Sequence, residues 1–186
     1  MITTRRGEGV LKRLRTGESR DWQIQAAPAL LGVALTLVGA ALVAAVVYGF
    51  GSPAPVNPVA MVLALAIGFV LFSFLALATS GITKNAEAAQ ITSIPVLTIA
   101  VLGLASIRRS LPDGFGKVVE WTPFSAISDL MSLGAAGKLA TAPKSGAALD
   151  FTGTFGEFGR PLATLAIWTA AAFPLAHRSF GWDDRG

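Results

Sequence analysis

Between Asp21 and Lys84 the chain runs for 62 residues, Trp22 to Thr83, without one Asp, Glu, Lys or Arg. A water-facing fold would have to expose part of such a stretch, and exposed segments need charge to stay solvated. Soluble domains carry about 25% charged residues, whereas this chain of 186 residues carries 14%, against 53% hydrophobic. The run therefore points to lipid as its solvent. Its first part, Ala26 to Phe50, reaches about 37 Å as a helix, enough to cross a hydrocarbon core of about 30 Å. The apolar region of a secretory leader is about 7–15 residues, so this stretch reads as a retained span.

The pattern predicts an all-α integral membrane protein with about four transmembrane helices, near 26–50, 59–82, 86–107 and 162–177, in a single transmembrane domain covering 1–186. The segment Gly51 to Pro58 holds three prolines and separates the first two spans. The third apolar stretch, Ile91 to Ile107, is short, so its helix is expected to begin within 84–90, with Pro95 kinking it or lying near its first turns. Residues 108–160 form an outer loop, in which Lys117 to Leu133 reads as one or two short amphipathic helices around Pro123, placed before the last span. Gly134 to Gly159 lacks periodicity and is expected to be a long loop. No internal repeat is present.

Charge placement orients the chain. With the N-terminus inside and four crossings, nine Lys or Arg fall in inside segments, six fall in 108–160, and 51–58 has none. This distribution favours cytoplasmic N- and C-termini. Six of the fifteen basic residues (Arg5, Arg6, Lys12, Arg13, Arg15 and Arg20) precede the first span, where they serve a membrane flank rather than nucleic acid. Residues 1–24 form a cytoplasmic segment with a short amphipathic stretch. Val10, Leu11 and Leu14 share one helical sector, and Lys12, Arg13 and Arg15 lie outside it.

Most catalytic chemistry is missing. The chain has no cysteine, which excludes disulfides, a redox pair and thiolate metal sites. The first two spans hold no ionisable side chain, and the other two hold them only at their ends, which disfavours a proton relay. His177, the single histidine, reads as an interfacial polar stop. Glu120, Asp129 and Glu157 are paired with no histidine and are expected to solvate amphipathic helices. Gly134 to Leu139 has the wrong spacing for a phosphate-binding loop, with Leu139 where Ser or Thr would hold Mg²⁺. Small residues in the first span, Gly32, Gly39 and the pairs Ala40/Ala44 and Ala41/Ala45, permit close helix approach but arise easily in an alanine-rich chain. No cofactor is implied.

Three stretches in order resemble the membrane subunit of type-2 ABC exporters. They are Arg5 to Arg15 ahead of an apolar span, Thr83 to Gln90 as an entry into a helix, and Leu111 to Phe115 with Thr122 to Asp129 as outer re-entrant helices. The resemblance runs from the coupling helix through the last four transmembrane helices of a six-span permease, so a truncated reading frame, a fragment or one piece of a split permease is expected. It implies a dimerising permease, pairing with itself or another permease chain in the lipid bilayer and bound to an ABC ATPase subunit that hydrolyses the ATP. The exported substrate would be a lipid, glycan or drug-like molecule. By this resemblance Glu8, Val10, Leu11, Lys12, Arg13, Leu14 and Arg15 make the ATPase contact. A non-transporting membrane scaffold or assembly factor is the alternative; a membrane-embedded enzyme is disfavoured by the missing His/Asp/Glu constellation.

Overall fold

A computed structural model describes residues 21–82, 86–143 and 145–179, and within them every regular element is helical. The elements are α1 (Asp21–Gly49), α2 (Pro58–Ile82), α3 (Ala86–Leu102), α4 (Ala105–Arg108), α5 (Asp113–Val119), α6 (Pro123–Ala136), a 3-10 turn at Gly153–Glu157, and α7 (Gly159–Ser179). Two of them are long and apolar enough to cross a membrane. These are Leu30–Gly49 in α1 and Pro58–Thr79 in α2, with mean hydropathy 2.6 and 2.7.

The starts of α2 and α6 are written into the sequence in the same way. Asn57 precedes Pro58, and its Oδ1 accepts from the backbone N–H of Val59 at 3.0 Å and of Ala60 at 3.3 Å. Thr122 precedes Pro123, and its hydroxyl oxygen accepts from Ser125 N–H at 3.4 Å. A short polar side chain satisfies the orphan donors of the first turn, and proline follows where its missing N–H costs nothing.

The core lies where α2, α6 and α7 meet. Leu71, Leu130, Leu133 and Leu165 are fully buried there, with Ala60, Ala64, Ala126 and Ala172 between them. The regular small-residue stripe at this core is therefore that of α2 and not that of α1. Ala60, Ala64 and Gly68 recur every four residues on one buried stripe, whereas Ala41 and Ala45 of α1 are exposed. Small residues on this stripe let the facing helices approach closely and gain van der Waals fit. The hydroxyls of Thr36, Ser73 and Thr169 bond back to the carbonyls of Gly32, Phe69 and Leu165 at 2.7–2.8 Å, so each is satisfied within its own helix.

Contacts fix the directions of these helices. Asn57 meets Thr154 just ahead of α7, and the rings of Phe74 and Phe173 lie 5.5 Å apart; α2 and α7 therefore run the same way. α6 runs against them. Its end, Gly134, lies against Asn57 and Met61, Ile127 lies against Gly68, and Phe124 packs on Phe72 with ring centroids 4.6 Å apart. A Cβ on Gly134 would sit 2.9 Å from the Asn57 carbonyl oxygen, and glycine makes that approach possible. Residues 123–136 thus return toward the start of α2 from a level well down its length.

The third apolar stretch differs from a straight span. α3 ends at Leu102, and the chain turns at Gly103 and resumes helix at Ala105–Arg108. A Cβ on Gly103 would lie 2.6 Å from that of Phe124, so the turn is where α3 abuts the start of α6. The stretch after α6 is also more ordered than an aperiodic loop. Gly137 ends α6 at φ 64° with its N–H on Leu133 O, and its carbonyl accepts from Leu149 N–H at 2.9 Å. The loop is thereby folded back, and Asp150 then caps the 3-10 turn through Gly153 N–H at 2.7 Å.

Candidate functional site

A chain of alternating charges crosses the bundle at α6. Asp129 is 1% exposed and is gripped by the Arg108 guanidinium through two bonds, at 2.7 and 3.3 Å. The same carboxylate accepts from Arg160 Nη2 at 2.8 Å and from Ala140 N–H at 3.3 Å. Arg160 turns its other nitrogen to Glu120. Neighbouring Arg109 donates to the Ala140 carbonyl at 2.6 Å. Four charges, two of each sign, therefore join α4, the α5–α6 link, α6 and the first turn of α7.

Both ends of this chain differ in solvent exposure. The Arg108 and Asp129 side chains are each 1% exposed, whereas those of Arg160 and Glu120 are 27% and 33% exposed. Burying two charges is costly unless geometry and further hydrogen bonds compensate. Asp129 meets that condition with four donors; Arg108 meets it less completely, because its Nε has no hydrogen-bond partner. Asp129 lies between Ile127 and Gly134, hence level with the third turn of α2, about 12 Å along the axis from Pro58. Folding places charge beside an uncharged span.

A second polar contact ties three connecting segments together. Asn57 is fully buried; its Nδ2 donates to Thr154 Oγ1 at 2.8 Å, and its backbone N–H donates to Gly134 O at 2.9 Å. Thr154 donates in turn to Phe151 O at 2.7 Å. The Pro-rich turn after α1, the end of α6 and the 3-10 turn before α7 are thus held as one unit.

A profile of ABC-2 family transporter proteins matches residues 1–177. The chain belongs to the ABC-2 transporter family. No curated protein and no solved structure matches it at a significant level. Membership in this family implies a separate ATPase subunit, and this ABC-2 chain is itself a membrane subunit without ATPase motifs. Among the described residues, no group of three or more His, Asp or Glu is arranged to hold a metal ion.

The coupling residues expected from the sequence, Glu8, Val10, Leu11, Lys12, Arg13, Leu14 and Arg15, lie outside the described residues. His177 is exposed near the end of α7, its ring 6.5 Å from that of Phe173. Glu157 is exposed, whereas Asp129 and Glu120 depart from the expectation that they solvate amphipathic helices. Both are committed to arginines, 21 and 31 positions away for Asp129 and 40 away for Glu120. Such separations leave no local sequence signature. The one available signal was that Asp129 interrupts the apolar side of a helix otherwise buried through Ala126, Leu130 and Leu133.

Proposed function

We propose that this chain forms part of the translocation pathway of an ABC exporter for a lipid, glycan or drug-like substrate. The observation that carries the reading is the family match over residues 1–177. In it the chain crosses the membrane at about 26–50, 59–82, 86–107 and 162–177 as one transmembrane domain, with both termini cytoplasmic. Residues 108–160 form the outer loop, and a second permease chain completes the pathway. The bond between Asn57 and Thr154 supports this topology, because an even number of crossings between them leaves both on one side. The helix α6, which begins beside Phe72 and returns to the start of α2 at Asn57, supports a re-entrant role for 123–136.

Glu8, Val10, Leu11, Lys12, Arg13, Leu14 and Arg15 form the ATPase contact in this proposal. Removing charge there would weaken headgroup attraction and docking alike, so the apolar face is the better probe. Burial of such side chains stabilises by about 1.5–3 kcal/mol each, and partial burial of two predicts an affinity loss of at least about tenfold on truncation. Leu11→Ala/Leu14→Ala is expected to abolish co-purification with the cognate ATPase while membrane abundance is unchanged. Unaltered ATPase binding by that variant would return the segment to a headgroup-bound helix. The topology is tested separately in this cysteine-free chain. Ala54→Cys and Ser145→Cys should both react with an impermeant maleimide from the outer face, and labelling of either from the cytoplasm alone would sink the assignment.

A further inference from the structure

We propose that a groove on α7 binds one zwitterionic phospholipid, with an acyl chain on its tryptophan-lined wall and the headgroup on Glu120 and Arg160. The groove has a volume of about 350 Å³ and is lined by Trp121, Thr164, Ile167, Trp168 and Ala171. Together with Arg160, the α7 members recur at spacings of four, three, one and three, which is a single helical face. This volume is at the small end of ligand sites and suits one alkyl chain better than a bulky solute.

Its polar atoms are already engaged. The Trp168 indole N–H donates to Trp121 O at 2.8 Å, and the Thr164 hydroxyl donates to Arg160 O at 2.9 Å. The wall therefore asks for an occupant without hydrogen-bonding groups at that level. At the head of the same face the chemistry reverses, since the exposed portions of Glu120 and Arg160 present one charge of each sign. Lipid tails solvate these portions poorly, and beyond the bond the two make with each other their open sides favour a polar partner. A zwitterionic headgroup supplies phosphate for the guanidinium and ammonium for the carboxylate. An anionic headgroup would meet Arg160 but be repelled by Glu120, and the four-charge cluster has no net charge to offer it. Length agrees as well. From Arg160 to Ala171 is about 16 Å of helix, close to the hydrocarbon depth of one leaflet, about 15 Å.

The proposal rests on α7 lying in the membrane, and its test separates the two. The full chain carrying Trp22→Phe and Trp182→Phe keeps Trp121 and Trp168 as its emitters and is placed in nanodiscs with acyl-brominated phosphatidylcholine or phosphatidylglycerol. Brominated phosphatidylcholine is expected to quench with an apparent affinity about threefold higher, the scale of a part-exposed ion pair. Glu120→Gln should erase the preference, and Ala171→Phe, which fills the groove, should weaken quenching by both lipids. Equal quenching by the two lipids, or a preference that survives Glu120→Gln, would mean ordinary annular lipid and would overturn the site. A parallel chain with all four tryptophans changed to Phe and Val46→Trp on α1 supplies the membrane control. Quenching of that control with none at Trp121 and Trp168 would mean that a second copy covers the groove. Absence of quenching in both chains would remove the membrane placement itself.

Discussion

Helices α1 and α2 are almost equally apolar, yet their surroundings differ completely. In α1 none of Leu30–Gly49 is buried, and Leu30, Leu35, Leu42 and Val43 are all more than 60% exposed. In α2 the face carrying Ala60, Ala64, Gly68 and Leu71 is buried against α6 and α7 while Val62, on another face, stays 63% exposed. The difference is not hydrophobicity. It is that α2 aligns small residues at four-residue spacing opposite helices able to use them, and α6 supplies Ile127, Leu130 and Leu133 to fill the space. An apolar helix by itself needs only lipid; a packed one needs a complementary surface. The same contrast separates the two ends of the charge cluster, one closed inside the packed unit and the other open along its edge.

The strongest way to break this picture is to attack the closed end. Asp129→Ala would leave Arg108 buried without its carboxylate, a change that costs about 3–5 kcal/mol. A large fall in the unfolding midpoint of the micelle-solubilised protein is therefore expected. Replacing the pair together, Arg108→Leu with Asp129→Leu, should recover most of that loss, because similar-sized apolar pairs often substitute without penalty. If Asp129→Ala unfolds within about 1 kcal/mol of the parent, the pair does not hold the unit together.

A smaller effect sharpens the comparison of the helices directly. Leu71→Ala opens a cavity between packed helices and should destabilise by about 2 kcal/mol or more. Leu35→Ala, on the uncovered helix, should stay within about 0.5 kcal/mol of the parent, as surface changes do. Equal losses at the two positions would show that α1 is covered by protein in the folded assembly.

Smallest of all is an acid-side effect in the segment ahead of the 3-10 turn. Asp150 accepts from Gly153 N–H and the Thr152 hydroxyl, and these bonds to its charged form hold the carboxyl below its ordinary value. With the folded-state value lowered, its contribution is fully present above the ordinary carboxylate range, about pH 4, and is lost as pH falls through the folded value. Thermal midpoints recorded between neutral pH and about pH 2.5 should show this component in the parent and not in Asp150→Asn. The group is fully exposed, so the difference will be slight, and curves of identical shape would remove it.

Much of the helical content was legible from residue order. The charge-free run announced α1 and α2, Asn57-Pro58 and Thr122-Pro123 mark two helix starts, and of the one or two short helices expected around Pro123 there are two, the first beginning at Asp113 rather than Lys117. The folded loop after Gly137 was not legible, because its bonds from Leu149 to Gly137 and from Asn57 to Thr154 join segments with no periodicity of their own. Nor was the break at Gly103, since an apolar helix can continue through glycine; the Phe124 side chain pressed against it, 21 positions along, decides that point.

Sequence alone settled the solvent and the element type. Sixty-two residues without charge can satisfy their backbone in lipid only by hydrogen bonding to themselves, and an open helix does this within one segment. The meaning of the charges was settled only by tertiary structure. Arg108, Asp129, Arg160 and Glu120 are unremarkable loop residues in linear order, and any carboxylate in such a loop is most cheaply read as solvated. Whether a charge is buried depends on which distant arginine reaches it, and that depends on α6 running back along α2 to carry Asp129 between Arg108 and Arg160.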